Sequence, residues 1–77
     1  MKTTIDLDFL LIRKLIDKLN DEDPRVRRNA TGALRMQGRK AAAAVPAISR
    51  LLDDADPRVR REAEQAIEQL RPVAIRA

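Results

Sequence analysis

The residues in this chain that could do chemistry are arginines and carboxylates, and they come in two matched sets. Asp23-Pro24-Arg25-Val26-Arg27-Arg28 recurs letter for letter as Asp56-Pro57-Arg58-Val59-Arg60-Arg61, 33 residues further on. Each set follows an acidic turn, Asn20-Asp21-Glu22-Asp23 in the first and Asp53-Asp54-Ala55-Asp56 in the second. Rows of guanidinium groups could grip nucleic-acid phosphates, and clustered carboxylates could hold a divalent cation. The turns lack the spacing and central glycine of a calcium loop. Each runs straight into Pro and Arg, whose positive charge opposes a cation. The chain has no Cys and no His. Zinc sites, thiol nucleophiles, Ser-His pairs and neutral-pH proton shuttles all draw on those residues. No catalytic residue, metal or cofactor is therefore expected, and the chain reads as non-enzymatic.

The phosphate reading meets obstacles of its own. Sixteen Lys and Arg stand against 12 Asp and Glu, a net charge of only +4. Phe9 is the one aromatic, so nothing accompanies the arginines to stack bases. Cations at the start of a helix also oppose its dipole, which favours pairing with the acids close by. Arg25, Arg28, Arg58 and Arg61 are the candidate contacts to an anionic ligand or partner.

The elements that position these groups follow from the same repeat. Ile12, Leu15 and Leu19 fall on Val45, Ile48 and Leu52 at the same offset, and Ala30, Ala33 and Leu34 fall on Ala63, Ala66 and Ile67. Each copy reads as helix, tight turn, helix. Asp23 and Asp56 suit the N-cap of the second helix, with Pro24 and Pro57 at its first position, where a missing N–H costs nothing. From Val26 and from Val59 the apolar spacing of three to four gives each second helix one buried stripe. Gly38 ends the first pair. Ala41 to Leu52 is predicted as the next helix, with Pro46 in its opening turn or bending it. The first helix is predicted from near Asp8 to Leu19. Four helices in antiparallel pairs result, an all-α chain of one domain over residues 1–77. Repeat one spans about 8–38, repeat two about 41–71, and a tail follows at 72–77.

A period of 33 also suits ankyrin and tetratricopeptide repeats, but their Thr-Pro-Leu-His and Trp/Tyr signatures do not occur. Gly38-x-x-Ala41-x-x-Ala44-Val45-Pro46-Ala47-Ile48-x-x-Leu51-Leu52 and Asp54-x-Asp56-Pro57-x-Val59-Arg60 resemble the short bacterial HEAT-like repeat, a group that includes the phycobilin lyase-type repeats. The resemblance runs from about Leu10 to Leu70. It implies an α-solenoid, with Arg27 and Arg60 as ladder residues that pair with turn aspartates of a neighbouring repeat. Asp23, Pro24, Asp56 and Pro57 are then structural caps. It also implies a protein–protein interaction module, a small scaffold or adaptor. Nucleic-acid binding through the arginine rows is the alternative, and a non-catalytic subunit of a chromophore lyase or a cofactor chaperone is a second. Three positions depart from the pattern. Ile12-Arg13-Lys14 replaces Val45-Pro46-Ala47, so the first helix is expected to be straighter; Gln37 stands where Leu70 does; and Arg71 takes the place of a glycine, with Pro72 next, so the array is expected to stop there.

Two repeats are few. Solenoids normally need about three before the stacked core is stable alone, with polar caps at the ends. The first helix is no polar cap: Phe9, Leu10, Leu11, Ile12, Leu15 and Ile16 spread over more than one face. They either tuck under the segment holding Ile5 and Leu7 or form a partner-binding surface, and the second reading is adopted because so small a monomer would leave much of them wet. The expected partner is another protein, a second copy or a larger helical one. The N-terminus has no signal-peptide pattern and no stretch approaches a membrane span. The lack of Cys fits a reducing cytoplasm.

Overall fold

The computed structural model describes residues 6–71, and the expectations for Ile5 and for the tail at 72–77 lie outside them. The first helix, α1, spans Leu7–Lys18. It begins one residue before the expected start because Asp6 is its cap. In extended backbone, the Asp6 carboxylate accepts the N–H groups of Asp8 and Phe9 at 3.1 and 3.2 Å. Two more helices start alike, α2 over Pro24–Gln37 and the last helix over Pro57–Leu70. In each, an aspartate in extended backbone precedes a first-turn proline. Asp23 accepts the Arg25 N–H at 2.9 Å and Asp56 that of Arg58 at 2.8 Å. One otherwise unpaired donor of the first turn is thereby satisfied in each helix.

Between α2 and the last helix, α4, the expected regular helix is not formed. The chain instead makes a 3₁₀ helix over Gly38–Ala44, one short α-helix, α3, over Val45–Ser49, and a second 3₁₀ turn over Arg50–Asp53. Pro46 accounts for the break. It has no N–H, and its ring excludes the carbonyl that an unbroken α-helix would place beside it, so α-geometry can begin only around it. The 3₁₀ turn that follows advances about 120° per residue instead of about 100°. That rotation turns Leu51 inward and leaves Leu52 exposed, although the offset of 33 aligns Leu52 with the buried Leu19.

α1 packs on α2, the segmented helix packs on α4, and α2 packs extensively against α4 to join the two pairs. The core runs along these contacts through Ile12, Leu19, Leu34, Ile48, Val59 and Leu70. Alanines 30, 41, 44, 63 and 66 are buried between them, and such small side chains let the helix backbones approach closely. Thr31 is the buried polar residue of the joint, and its hydroxyl donates to the Arg27 carbonyl at 2.8 Å.

Gly38 makes the corner that ends α2, with φ 68° and ψ −147°. That combination is open almost only to glycine. A Cβ added there would meet nothing within 4 Å, so any cost of substitution is backbone strain and not a clash. Gly38→Ala is expected to lower unfolding stability by about 1–3 kcal/mol, measured by urea denaturation, with helix content by circular dichroism unchanged.

Candidate interaction surface

The arginine and aspartate turns assemble into one joint. The guanidinium of Arg27, at the start of α2, reaches across to the turn before α4. Its Nε and Nη2 donate to the two carboxylate oxygens of Asp54 at 2.8 and 2.9 Å. Its Nη1 donates to the carbonyls of Asp21 and Glu22 in its own turn, at 2.7 and 3.1 Å. Asp54 is held in turn, because it also accepts the Asp56 N–H at 2.9 Å. Its side chain is only 6% exposed. Hydrogen bonding from Arg27 holds the Asp54 carboxyl below the ordinary aspartate range, against the upward push of burial. A second pair spans the same joint further along, with Arg35 Nε donating to Glu62 at 2.8 Å.

Arg60 repeats half of this arrangement. Its Nη1 donates to the Asp54 and Ala55 carbonyls at 2.6 and 3.3 Å, as Arg27 does to its own turn. No carboxylate meets its outer edge among the described residues. Asp21 is the matching half. It accepts the Asp23 N–H at 2.9 Å as Asp54 accepts that of Asp56, but no arginine side chain reaches it among the described residues.

The four arginines proposed for an anionic ligand separate into two kinds. Arg25 folds back on its own cap, with Nη2 2.9 Å from Asp23, and Arg58 does the same more loosely at 3.5 Å from Asp56. The Arg25 side chain lowers the Asp23 pKa, whereas at Asp56 the backbone N–H of Arg58 is the largest downward influence. Arg28 and Arg61 make no ion pair among the described residues. No group of three His, Cys, Asp or Glu among the described residues could hold a metal ion.

The apolar residues singled out on α1 also separate. Ile12 is buried, and Leu15 and Ile16 pack half-buried against the core, so these three belong to the interior. Leu7, Phe9, Leu10 and Leu11 remain open at 73, 56, 47 and 42% exposure. Phe9 borders a groove of about 290 Å³ between α1 and the following 3₁₀ helix, with Ile12, Ile16 and Ala43 in its walls. Lys40 and Asp8, 3.1 Å apart, stand among its lining residues. Sequence reasoning did not find the Arg35–Glu62 or Lys40–Asp8 pairs. The first had a usable signal: its members are 27 residues apart, the separation of Arg27 and Asp54.

The joint sets up a comparison within one molecule. Asp54→Ala removes three hydrogen bonds and leaves Arg27 facing an apolar side chain, and is expected to cost about 2–3 kcal/mol. Asp21→Ala removes the one bond to Asp23 at an exposed turn and is expected to cost less than about 1 kcal/mol. Urea denaturation of both variants decides this, and equal losses would refute the joint as the stronger site. Acid gives an independent check. The Asp54 pKa is lower folded than unfolded, so the pair stabilises the fold above the ordinary value of 3.8 and this contribution fades as pH falls through the lowered one. As pH falls below about 4, wild type should lose stability more steeply than Asp54→Asn.

Comparison with known proteins gives one finding. The family model described as HEAT repeats matches residues 12–76, while no curated protein and no solved structure matches. Repeats of this kind are in general protein-interaction modules. Regular α-helices joined by acid-capped turns, with an arginine tying one turn to the next, agree with that match. On this coverage the chain belongs to the HEAT-repeat family.

Proposed function

We propose that the chain is a non-enzymatic protein–protein interaction module, a small scaffold or adaptor that docks through the α1 end of its stack. Residues 8–38 and 41–71 are the two repeats, each an antiparallel pair, with the segmented helix as the first member of the second pair. The observation that carries this reading is the run of large apolar side chains that α1 leaves open, Leu7, Phe9, Leu10 and Leu11. Leu7, Leu10 and Leu11 stand at i, i+3 and i+4 and so share one face of α1, with Phe9 apart beside the groove. Contiguous apolar surface marks an interaction site more often than scattered residues do. A second copy or a larger helical protein fits it, since an exposed helix face is completed by packing another helix against it. The arginine rows support nucleic-acid binding less well, because Arg25, Arg27 and Arg58 meet carboxylates and Arg60 meets turn carbonyls.

A photo-crosslinking residue in place of Leu10, in the full chain expressed in its source cells, tests the reading. A dominant protein adduct is expected, lost when Leu7→Glu and Leu11→Glu are added. Both positions are exposed, so the double variant should keep its helix content. Adducts to protein that persist in the double variant would overturn the reading, as would no protein adduct together with salt-sensitive nucleic-acid binding lost in Arg28→Ala and Arg61→Ala.

A further inference from the structure

The two copies are alike in sequence but not in burial, and the difference has a direction. Val59, Ala66 and Ala44 of the second copy are fully buried, whereas their counterparts Val26 and Ala33 are half-buried and Leu11 is 42% exposed. The α2–α4 joint covers the second set, and nothing among the described residues covers the first. The opposite holds on the other side of each unit. Ile12, Thr31 and Leu34 of the first copy are buried, whereas Val45 and Ile67 are half-buried and Glu64 is exposed at the same offset. The two ends of the stack are thus the two halves of the joint that already exists between α2 and α4.

The polar groups agree. The internal joint is closed by a guanidinium pinned to its own turn by Nη1 and bonded through Nε and Nη2 to an aspartate pinned by a backbone N–H. Arg60 presents the pinned guanidinium at one end, and Asp21 the pinned aspartate at the other. Among the described residues no acidic side chain fills the Arg60 socket. We propose that the chain stacks head to tail with a second copy, the Asp21 carboxylate of one copy closing the Arg60 guanidinium of the next. The proposal rests on the interaction-module reading and names the partner of the α1 end. The contact is heterologous, so copies add beyond a dimer, into a ring where the rotation between units closes and into an open row where it does not.

Two positions make the new joint weaker than the internal one. Glu68 stands at the place of Arg35 and faces Asn29 at the place of Glu62, so an ion pair becomes a carboxylate–amide contact. Glu64 stands at the place of the buried Thr31 and brings a charge into the contact. Association is therefore concentration-dependent, and Glu64→Thr strengthens it.

Light scattering during size exclusion, on the full chain over a concentration series, tests this. The wild-type mass should rise with concentration past that of a dimer. Asp21→Lys and Arg60→Glu each place like charges at the rung, and each should weaken association by about thirtyfold or more. Mixed in equal amounts, the two variants should again form a complex. Arg60 of the first then meets Asp21 of the second across an unaltered rung, a rescue that a symmetric dimer joined through its two α1 faces, with no Arg60–Asp21 contact, would not show. Circular dichroism confirms folding, and Arg60→Gln, which keeps an amide donor for the turn carbonyls, replaces Arg60→Glu if that variant unfolds. A mixture that stays monomeric while wild type associates, or a mass that stops at a dimer indifferent to both substitutions, overturns head-to-tail stacking and leaves the interaction-module reading standing. A wild type and a Glu64→Thr variant that both remain monomeric overturn it as well, and the crosslinking at position 10 then judges the broader reading alone.

Discussion

Arg27 occupies the point on which the two halves of the molecule depend. One planar group satisfies two carbonyls of its own turn and both oxygens of Asp54 in the next. Its fixed fork of donors makes this possible, and a lysine could not reproduce the bidentate geometry. The pair lies where the turn before α2 meets the turn before α4, so it sets the spacing of the two repeats at their ends. The interior then needs only to match that spacing. It does so with alanines, whose small side chains let α2 and α4 lie close over most of their length. A partly buried ion pair contributes little net stability by itself, but breaking it strands a charge, so it selects one register of the joint over others.

The placement of cations at the start of α2 and α4 follows from this constraint. Arg25, Arg27 and Arg28 oppose the dipole of α2, and no acid occupies its first turn. The opposition is offset locally. Arg25 and Arg58 pair with the capping aspartates two residues earlier, while Arg27 and Arg60 point into carbonyls of the turn. What reads along the sequence as a basic surface is, in space, mostly a hydrogen-bonded corner. Of the six, Arg28, Arg60 and Arg61 are free of an ion pair among the described residues, and Arg60 is held by turn carbonyls, which leaves too few for a phosphate-binding row.

The residues that carry the fold were legible because the repeat prints each rule twice. Asp-Pro at both second helices announces cap and first turn, and the three-to-four spacing announces the buried stripe. Two features were not legible in that way. The break at Val45–Ser49 depends on how a proline ring and one carbonyl share space, and the sequence left open whether Pro46 would open a helix or bend it. The choice of Leu51 over Leu52 depends on a few tens of degrees of rotation in a 3₁₀ turn, which letter matching at a fixed offset cannot carry. On the surface, the apolar run of α1 was visible, yet its division into interior Ile12, Leu15 and Ile16 and open Leu7, Phe9, Leu10 and Leu11 needed the direction from which α2 packs.

Repetition also explains why the open surface is apolar at all. A unit that stacks on its neighbours must carry one face for each of them, and duplication copies both faces into every unit. Where no neighbour lies, the copied face is still there, as Val26, Ala33 and Leu11 show beside their buried counterparts. Selection can then convert the end face into a polar cap or keep it for docking. At the α4 end Glu64 puts a charge where the first copy has the buried Thr31. At the α1 end the substitutions run the other way, with leucines where the second copy has alanines: Leu10 and Leu11 fall on Ala43 and Ala44. A face that only lacked a neighbour would gain from losing such bulk, since each exposed leucine adds apolar area in contact with water. Larger apolar side chains on the open end are what a docking face requires and what a terminal cap avoids.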